Sequence, residues 1–485
     1  MRLRAIAAWL AAGAFLACLH SLPLTAAESF KPIALHPENP HYFLWRGKST
    51  VLVTSGEHYG AVLNLDFDYR PYLAELAAHG LNLTRTFSGT YREIPSSFRI
   101  TNNTLAPKPG RYACPWARSD QPGYYDGGNK FDLTRWEPEY FRRLKDFMAQ
   151  AQRRGVVVEM NLFCTIYNDE LWRASPMNAV NNVNGIGRCP RQEVFSLKHD
   201  DLTRVQLDLT RKMVAELKDF DNLYYEVCNE PYFHGVTLPW QHKIAETIAE
   251  AEKDFPARHL VSMNIANGRQ KVENPHPAVS ILNFHYTHPP DTVAMNFGLG
   301  RVIGENETGF RGPQDILYRT EGWDFLIAGG GLYNNLDYSF TAEHPDGTFL
   351  DYKSPGGGSP TLRQQLGILK KFFEELDFVH MAPDDSVIRE VSDKLSARAL
   401  AKRGDTYAIY IHVPLPGKPK DLREYLRSGI EAHLVLDLPA GTYRAEWVDT
   451  KTGAVAKVEA INHEGGPCRL SSPKFDDDIA LRVVR

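Results

Sequence analysis

Short apolar runs alternate with segments of helical periodicity along most of the chain, and this alternation constrains the fold more than any other feature. Strands that alternate with helices predict a parallel sheet with crossover helices. Eight such runs with helices between them favour a closed (β/α)8 TIM barrel over an open sheet. The predicted strands are residues 50–55, 81–87, 156–164, 223–229, 259–264, 279–286, 302–307 and 331–338. The predicted helices are residues 69–79, 138–154, 201–220, 241–255 and 315–327.

The length of 485 residues leaves room for a second domain beside the barrel. Residues 41–55 are read as a hairpin that turns near Gly47 and leads into the first barrel strand. After a helical run at 362–376 the pattern changes to short alternating strands with turns, which is typical of an antiparallel β-sandwich. We therefore predict a barrel domain with an N-terminal hairpin over residues 28–385 and a small β-sandwich over residues 386–485. This β-sandwich either binds carbohydrate or only packs against the barrel and stabilises it.

The beginning of the chain predicts a signal peptide over residues 1–27. An apolar stretch at residues 5–19 is too short to span a membrane, and Thr25-Ala26-Ala27 offers small residues to a signal peptidase. No later segment is long and uncharged enough for a span, so we expect a secreted protein, periplasmic or extracellular, without an integral membrane segment. Cys18 only weakly resembles a lipoprotein cleavage site, and we do not expect a lipid anchor there.

The charge of the chain argues against one class of partner. The formal net charge is −4, and removal of residues 1–27, which contain two arginines and no acidic residue, lowers it to −6. A nucleic-acid-binding protein needs a basic face. We therefore expect no nucleic-acid partner, and no pattern in the sequence indicates an oligomeric state.

Five of the six cysteines remain after removal of the signal peptide. Cys164 and Cys228 lie in apolar strand-like runs, where we expect small buried thiols. Cys114 and Cys189 lie next to proline in irregular segments, and an oxidising compartment favours a disulfide between them, with Cys468 as an alternative partner. No Cys or His spacing matches a structural zinc site, and we predict neither a metal nor another cofactor.

Two long irregular segments, residues 88–130 and 166–194, each follow a predicted strand. They should therefore lie at the C-terminal face of the barrel, where barrel enzymes hold their active sites. Loops of this length are usually functional, and both contain Tyr, Trp and Asn residues, whose side chains stack on sugar faces or bond to hydroxyl groups. They either contact a substrate or only cover the barrel rim.

Two glutamates close predicted barrel strands at that same face. Glu230 follows one strand in the tripeptide Asn229-Glu230-Pro231, which could otherwise simply cap the next helix, and Glu307 ends another strand. Glu305 has the same strand parity as Glu307 and competes with it, but the strand end should expose Glu307 better. Two carboxylates placed in this way can donate a proton to a glycosidic oxygen and attack or stabilise a sugar cation.

The chain resembles the cellulase-type glycoside hydrolases of clan A, in a bacterial subgroup with a small C-terminal β-domain. In that clan the proton donor follows an Asn at the end of the fourth strand, which matches Glu230, and the nucleophile ends the seventh strand, which matches Glu307. The clan also keeps an Arg on the second strand, matched by Arg85, and a His and a Tyr on the sixth, matched by His285 and Tyr286. The resemblance implies a retaining mechanism that cleaves β-glycosidic bonds in a polysaccharide or oligosaccharide, with carbohydrate as the partner.

The resemblance also implies roles for the residues beside the two acids. Arg85 would keep the carboxylate of Glu307 ionised, although it could instead form an ion pair with the inward-facing Glu226. Tyr286 would bond to Glu307, and His285 would contact a substrate hydroxyl. Because adjacent residues of a strand point to opposite faces, one of these two could face away from the site unless the strand has ended.

Three further residues are candidates for substrate binding. Asn229 would hold the 2-hydroxyl of the sugar, a contact that strengthens in the transition state. Glu57 and His58 close the first strand, where they either bind substrate or pack at the barrel rim. A metal-dependent barrel hydrolase would have His-x-His at this strand, and Glu57-His58-Tyr59 lacks that pattern. The other alternative is a non-catalytic glycan-binding barrel, which the presence of both acids disfavours.

Overall fold

The computed structural model describes residues 31–485, and the predicted signal peptide at 1–27, with Cys18, lies outside the described residues. In chain order the strands are β1 (Ala34–Leu35), β2 (Phe43–Trp45), β3 (Lys48–Thr50), β4 (Leu52–Gly56), β5 (Leu83–Phe87), β6 (Trp116–Pro122), β7 (Asn129–Trp136), β8 (Val157–Cys164), β9 (Leu223–Asn229), β10 (Leu260–Asn267), β11 (Ile281–His285), β12 (Val302–Thr308), β13 (Leu332–Leu336), β14 (Ala382–Pro383), β15 (Ile388–Val391), β16 (Ser396–Lys402), β17 (Thr406–His412), β18 (His433–Leu438), β19 (Gly441–Asp449), β20 (Val455–His463), β21 (Gly466–Ser471) and β22 (Asp478–Val484). The helices are α1 (Tyr69–Ala78), α2 (Pro138–Arg153), α3 (Asp169–Ala174), α4 (Asp200–Leu217), α5 (Leu238–Ala251), α6 (Asp291–Asn296), α7 (Asp315–Ile327) and α8 (Pro360–Glu374).

Eight parallel strands form a nearly closed barrel with helices between them, which confirms the predicted (β/α)8 TIM barrel. Their hydrogen-bonded order is β4-β13-β12-β11-β10-β9-β8-β5, so each barrel strand lies beside its neighbour in the chain. The side chain of Asn82 links the two remaining edges, because it accepts a hydrogen bond from Val53 N and donates one to Val51 O, both at 2.9 Å. The barrel strands are buried almost throughout, as expected for a parallel sheet with helices on its outer side.

The N-terminal hairpin closes one end of the barrel. Strands β1, β2 and β3 form a small antiparallel sheet. Phe43 and Trp45 of β2, together with Ile33 just before β1, share an apolar cluster with one residue near the start of every barrel strand: Leu52, Leu83, Val157, Tyr224, Leu260, Ile281, Val302 and Leu332. This packing fills the N-terminal end of the barrel, so the C-terminal end is the one left to bind a ligand.

The outer helices begin where the sequence provides caps. Helix α8 starts with Pro360 after Ser359, whose hydroxyl accepts a hydrogen bond from Leu362 N at 2.9 Å. Proline fits the first turn because its missing N–H would have no intrahelical partner there, and the serine satisfies one of the free N–H groups.

Among residues 31–485, none of the helices combines the length and the apolar character that a membrane span requires.

The two long segments at the C-terminal face are more regular than predicted. The expectation of irregular chain at residues 88–130 is wrong in part, because β6 and β7 form an antiparallel ribbon there. The segment at 166–194 contains helix α3. Strand β7, which begins at the end of the first segment, bonds to the second segment through its backbone, from Phe131 N to Asn181 O and from Val183 N to Phe131 O, both at 2.9 Å. They therefore form one continuous wall above β5 and β8.

The predicted disulfide between Cys114 and Cys189 is wrong, because both are free thiols. Cys114 is buried, and burial raises the pKa of its thiol to about 12. Cys189 is half-buried in the other segment, where its carbonyl accepts a hydrogen bond from Trp172 Nε1 at 2.9 Å. Cys468, the alternative partner, is also free and lies in β21. The backbone contacts thus align the two segments without bringing the thiols into disulfide geometry.

The C-terminal residues form the predicted antiparallel β-domain. A six-stranded sheet has the order β14-β16-β17-β22-β19-β20, and a three-stranded sheet has the order β15-β18-β21. Apolar side chains of the two sheets share one core, which includes Ile409 and Trp447 from the larger sheet and Leu436 from the smaller one. The two sheets therefore stack as a small β-sandwich.

Helix α7 lies between the barrel and this β-sandwich and is buried on all sides. Trp323 stacks on Tyr410 of β17 with ring centroids 5.4 Å apart. Arg319 forms a buried ion pair with Asp478 of β22 at 2.6 Å. A helix without an exposed face needs packing partners all round, and the β-sandwich covers the side of α7 that the barrel leaves free.

Candidate active site

The open end of the barrel contains a cavity of about 630 Å³. Strand ends, the two long segments and one loop of the β-sandwich contribute to its walls. Glu230 and Glu307 lie in it together with aromatic side chains such as Phe98, Tyr167 and Phe233. A concave site with apolar walls and a few converging polar groups is typical of a small-molecule or substrate site.

Backbone strain is concentrated around this cavity. Of the twelve non-glycine residues with a positive φ in residues 31–485, five line it: Tyr59, Phe98, Glu230, Tyr286 and Phe310. Such conformations cost about 1 to 3 kcal/mol each and cluster at functional sites, where the surrounding structure fixes them. The strain therefore supports a functional role for the cavity, independently of which side chains line it.

Glu307 is the penultimate residue of β12, and four side chains surround its carboxylate. Tyr286 OH donates a hydrogen bond to Oε1 at 2.6 Å, and Tyr59 OH donates one to Oε2 at 2.9 Å. Arg85 Nη1 lies 3.2 Å from Oε2, and His285 Nδ1 lies 3.5 Å from Oε1. Burial alone would raise the pKa of Glu307, but the charges of His285 and Arg85 and the two hydroxyl groups together lower it below its ordinary value. The site therefore holds this carboxylate in its ionised form.

Glu230 follows β9 and has different partners. Its Oε2 accepts a hydrogen bond from Tyr167 OH at 2.5 Å, and its Oε1 lies 3.2 Å from His285 Nδ1. Tyr232 OH lies 3.4 Å from the same Oε1. No lysine or arginine in the described part of the chain forms an ion pair with this carboxylate. Glu307 has an arginine beside it and Glu230 does not, so the two acids lie in unlike environments.

The two carboxylates lie close to each other, with His285 between them. One oxygen of Glu230, one oxygen of Glu307 and one ring nitrogen of His285 all lie within 4.8 Å of one another. Burial would lower the pKa of His285, whereas the charges of Glu307 and Glu230 raise it above its ordinary value. A protonated His285 can donate its Nδ1–H to either acid. Within residues 31–485 this trio is also the one group of three or more side chains with the spacing of metal ligands.

His285 and Tyr286 both contact the carboxylate of Glu307, at 3.5 and 2.6 Å, so the alternative that one of them points away from the two acids is excluded. Strand β11 ends at His285, and Tyr286 has a φ of 54°. The same arrangement follows β9, where Asn229 is the last strand residue and Glu230 has a φ of 47°. In each pair the turn out of the strand rotates the second side chain to the side of the first.

Arg85 combines the two roles that the sequence left open. Strand β5 places its guanidinium in the barrel interior, where it forms ion pairs with Glu307 at 3.2 Å, with Glu159 at 2.5 Å and with Glu226. Burial, followed by the charge of Glu226, raises the pKa of Glu159. Arg85 therefore contacts the carboxylate of Glu307 and, at the same time, belongs to an ion-pair network with Glu159 and Glu226 in the barrel interior.

Asn229 lines the cavity beside Glu230. Its Oδ1 accepts a hydrogen bond from Arg85 Nη2 at 2.8 Å, and its Nδ2 donates one to Tyr167 OH at 3.0 Å. The same Tyr167 hydroxyl bonds to Glu230. These bonds fix the orientation of the amide and link it to both halves of the site.

Glu57 and His58 follow β4 but occupy different places. His58 lines the cavity, with its Nε2 3.4 Å from Glu93 Oε2. Glu57 is fully buried, and its carboxylate accepts hydrogen bonds from two backbone N–H groups of the next turn at 3.1 and 2.9 Å and from the Thr104 hydroxyl at 2.6 Å. The structure therefore gives Glu57 a packing role and leaves substrate contact open for His58.

The prediction that Glu305 points to the same side as Glu307 is wrong. A register shift in β12 directs both Asn306 and Glu307 inward, and Asn306 donates hydrogen bonds to two carboxylates of the barrel interior. Glu305 accepts a hydrogen bond from Thr287 N at 2.7 Å instead. Burial, followed by the charge of Glu321 on α7, raises its pKa well above the ordinary value. Simple strand alternation does not foresee such a shift.

Several cavity residues were missed from the sequence. Phe98, Tyr167 and Phe233 form an aromatic edge with centroid distances of 5.1 Å and 6.0 Å between successive rings. Phe98 and Phe233 remain 37% and 43% exposed. The aromatic content of the two long segments was the available signal for Phe98 and Tyr167. No comparable signal in the sequence indicates Glu93, which contacts His58, or Lys418, which comes from the β-sandwich.

Comparison with solved structures supports the fold. The chain is similar to a protein described as a glycoside hydrolase, with a TM-score of 0.60 and 14% sequence identity, covering 94% of this chain and 97% of that one. It is also similar to a glycoside hydrolase family 5 protein from Bacteroides vulgatus ATCC 8482, with a TM-score of 0.61 and 14% identity, covering 93% of each chain. At this identity the similarity shows a shared fold over nearly the full length of both chains.

A sequence family covers part of the cavity wall. The family described as a domain of unknown function, DUF6298, matches residues 99–193. This range runs from the first long segment through β6, β7, α2 and β8 to the end of the second long segment. No curated protein matches the sequence.

Proposed function

We propose that this protein is a secreted, retaining glycoside hydrolase that cleaves β-glycosidic bonds in a polysaccharide or oligosaccharide. The observation that carries the proposal is the distance between the two acids, since an oxygen of Glu230 and an oxygen of Glu307 lie within 4.8 Å of each other. Retaining glycosidases hold their carboxyl groups about 5 to 5.5 Å apart, and inverting ones about 6.5 to 9.5 Å apart. An approach of single oxygens within 4.8 Å fits the shorter spacing, that of the retaining enzymes. The two structural relatives named as glycoside hydrolases agree with this activity.

In the first step Glu307 is the nucleophile. Its ionised carboxylate attacks the anomeric carbon, and the bond from that carbon to the glycosidic oxygen breaks. Glu230 donates its proton to the departing oxygen, so the leaving sugar is released as an alcohol. Arg85 and the hydroxyls of Tyr59 and Tyr286 favour the charged form of Glu307 before the attack.

In the second step Glu230 acts as a base. It accepts a proton from water, and the resulting hydroxide attacks the anomeric carbon while the ester bond to Glu307 breaks. Glu230 is protonated again, Glu307 regains its charge, and the product keeps the anomeric configuration of the substrate. His285 contacts both acids and can stabilise whichever of them is charged.

The walls of the cavity fit a sugar. The exposed faces of Phe98 and Phe233 offer stacking surfaces, which suit the apolar faces of pyranose rings. In the proposed reaction Asn229, beside the proton donor, bonds to the sugar 2-hydroxyl. His58 has an Nδ1 without a partner in the described residues, which is free to bond to a substrate hydroxyl. These groups would supply the orientation that a two-carboxylate reaction needs.

The activity is tested by measuring released reducing sugar on a panel of galactomannan, xylan, laminarin, carboxymethylcellulose and polygalacturonate. We expect Glu230→Gln to lower kcat by about 10²- to 10⁴-fold, the usual contribution of general acid–base catalysis. Glu307→Gln should lower it at least as much. Glu273→Gln, which changes an exposed glutamate outside the cavity, is the matched control and should keep the wild-type rate. Full activity in either of the first two variants would show that the assignment of the acids is wrong.

Further measurements separate the alternatives. Proton NMR of the first product should show the substrate's anomeric configuration, and the opposite anomer would contradict retention. A wild-type protein that binds one of the polysaccharides but releases no sugar would favour the non-catalytic glycan-binding barrel. Treatment with a chelator should leave the rate unchanged; loss of activity that added Zn²⁺ restores would favour a metal-dependent reaction at Glu230, His285 and Glu307.

Export is a separate part of the proposal. It rests on the N-terminal charge, the apolar stretch at residues 5–19 and the small residues that precede Glu28. Mass spectrometry of the protein from a bacterial periplasm or medium should give a chain that begins at Glu28. A cytoplasmic protein that keeps residues 1–27, or a lipid-modified chain that begins at Cys18, would contradict it.

A further inference from the structure

A loop of the C-terminal β-sandwich reaches the cavity of the barrel. Gly417 and Lys418, in the loop that follows β17, line the same cavity as Glu230 and Glu307. The side chain of Lys418 is exposed. We refer to residues 415–418 as the sandwich loop. Its presence in the wall distinguishes this β-sandwich from a module that only packs against the outside of a barrel.

The barrel binds the backbone of the sandwich loop directly. Arg311 Nε donates a hydrogen bond to Gly417 O at 2.7 Å, and Arg311 Nη2 donates one to Pro416 O at 3.3 Å. His288 Nε2 lies 2.9 Å from Leu415 O, which makes it a donor to that carbonyl. Three successive carbonyls of the loop are thus held by two barrel side chains, so the loop has a defined position over the cavity.

The side chain of Arg311 is itself fixed. Its Nη1 forms a buried ion pair with Glu321 at 2.9 Å and donates a hydrogen bond to Leu317 O at 3.0 Å. Thr308 donates a further hydrogen bond to Glu321 at 3.0 Å. A guanidinium with these partners has little freedom to move, so it positions the sandwich loop rigidly.

The residues that bind the loop belong to the same turns as the reacting groups. Arg311 lies in the turn that follows Glu307, and His288 lies in the turn that follows Tyr286. A substrate seated on Glu307 therefore lies near the sandwich loop. Lys418 has no hydrogen bond or ion pair to another group in the described residues. Its ammonium group has three donors and no acceptor, which suits the oxygen atoms of a sugar chain.

We propose that the sandwich loop is one wall of the substrate-binding site and that Lys418 binds an oxygen atom of the sugar chain. This inference rests on the proposed function. It makes Lys418 a specificity-determining residue and Arg311 a positioning residue. The β-sandwich is then a part of the active site, in addition to its packing on α7.

The test compares Lys418→Ala with Lys420→Ala on the polysaccharides of the panel. Lys420 is exposed in the same stretch of chain but does not line the cavity, so it controls for general charge effects. We expect Lys418→Ala to raise KM about tenfold, the effect of one exposed hydrogen bond from a charged donor, with little change in kcat. Lys420→Ala should behave as the wild type. Equal KM values for the two variants would overturn the proposal.

The choice of polysaccharide identifies the kind of oxygen that Lys418 binds. If it binds a hydroxyl group, the rise in KM appears on neutral galactomannan and persists in about 0.5 M NaCl. If it binds a carboxylate, the rise appears on polygalacturonate or carboxymethylcellulose and disappears in high salt, because salt screens exposed charges. Either result supports the proposal, and no rise on any cleaved polysaccharide contradicts it.

A second measurement needs no turnover. Lysine acetylation is followed by mass spectrometry in Glu307→Gln, with and without the best-cleaved polysaccharide. Lys418 should be protected by the polysaccharide and Lys420 should not. Equal labelling of both lysines would overturn the inference while leaving the proposed function intact. If instead Glu307→Gln cleaves like the wild type, the proposed function fails and this inference fails with it.

Discussion

Replacing Tyr286 by Phe removes one of the four groups around Glu307 and deletes only an oxygen atom. The hydroxyl of the half-buried Tyr286 donates a hydrogen bond at 2.6 Å to Oε1 of Glu307, whose side chain is buried. The contacts from Tyr59, Arg85 and His285 stay in place. Because the lost bond favours the charged carboxylate, the variant should have a higher pKa at Glu307 than the wild type.

The size of the effect follows from the nature of this bond. A hydrogen bond to a charged group contributes about 1.5 to 3 kcal/mol, and about 1.4 kcal/mol corresponds to a factor of ten. In acid, where Glu307 is mostly protonated in both proteins, the rate follows the small fraction of molecules in which Glu307 is still ionised. That fraction should be about 10- to 150-fold smaller in Tyr286→Phe than in the wild type. Near neutral pH both proteins keep the nucleophile ionised, so their rates should be much closer. The acidic limb of kcat/KM should therefore move to higher pH in the variant.

The assay is the pH profile of kcat/KM for the best-cleaved polysaccharide from about pH 2.5 to 8, so that it extends well below the ordinary pKa of a glutamate. Tyr338→Phe is the matched control, because Tyr338 is also buried near the cavity but its hydroxyl has no partner in residues 31–485. Its profile should coincide with that of the wild type. Parallel profiles for Tyr286→Phe and the wild type, or an equal displacement in Tyr338→Phe, would refute the role of Tyr286 in holding Glu307 ionised.

Two further predictions concern stability and redox state. Asp478→Ala leaves Arg319 buried without its partner, so urea denaturation should show a loss of about 3 to 5 kcal/mol in the free energy of unfolding, whereas Arg423→Ala at an exposed ion pair should change little. Burial would raise the pKa of Asp478, but the charge of Arg319 lowers it below its ordinary value. The stabilisation by Asp478 is therefore present above the pKa of an unfolded Asp and is lost as the pH falls through the lower pKa of the folded protein. If the difference in free energy of unfolding between the wild type and Asp478→Ala grew in acid, this reasoning would be contradicted. All five cysteines of the described chain are free, so a reductant should leave Tm unchanged and a thiol titration of the unfolded protein should count five. A lower count would show that some of these cysteines are oxidised and would contradict the five free thiols.

The sequence predicts the barrel well because each of its elements has a local signal. Strand β9 at Leu223–Asn229 and helix α7 at Asp315–Ile327 have the predicted bounds. Neighbouring strands of a parallel barrel follow one another along the chain, so a correct series of strands also gives their order in space. The strand ends that carry Glu230 and Glu307 are predictable for the same reason.

The remaining parts of the site depend on chain paths that no periodic pattern describes. Phe98 and Tyr167 come from the long segments, and Lys418 comes from a loop of the other domain. Their positions follow from tertiary contacts such as those of Arg311, which join residues far apart in the chain. The register shift that turns Glu305 outward likewise depends on how β12 fits its neighbours, and the alternation of the sequence carries no trace of it.

The candidate site departs from strand geometry where it needs two side chains from one strand. In a regular strand alternate residues face opposite sides, so each strand end would supply one side chain to the cavity. At β9 and β11 the positive φ of Glu230 and Tyr286 brings each of them to the same side as the preceding residue, Asn229 or His285. These conformations are unfavourable for residues with a Cβ, and glycine would adopt them without strain. The chain nevertheless has Tyr286, which contacts the proposed nucleophile, and Glu230, which donates the proton in the proposed reaction, at these two positions. The backbone strain therefore lies where the chemistry requires a side chain.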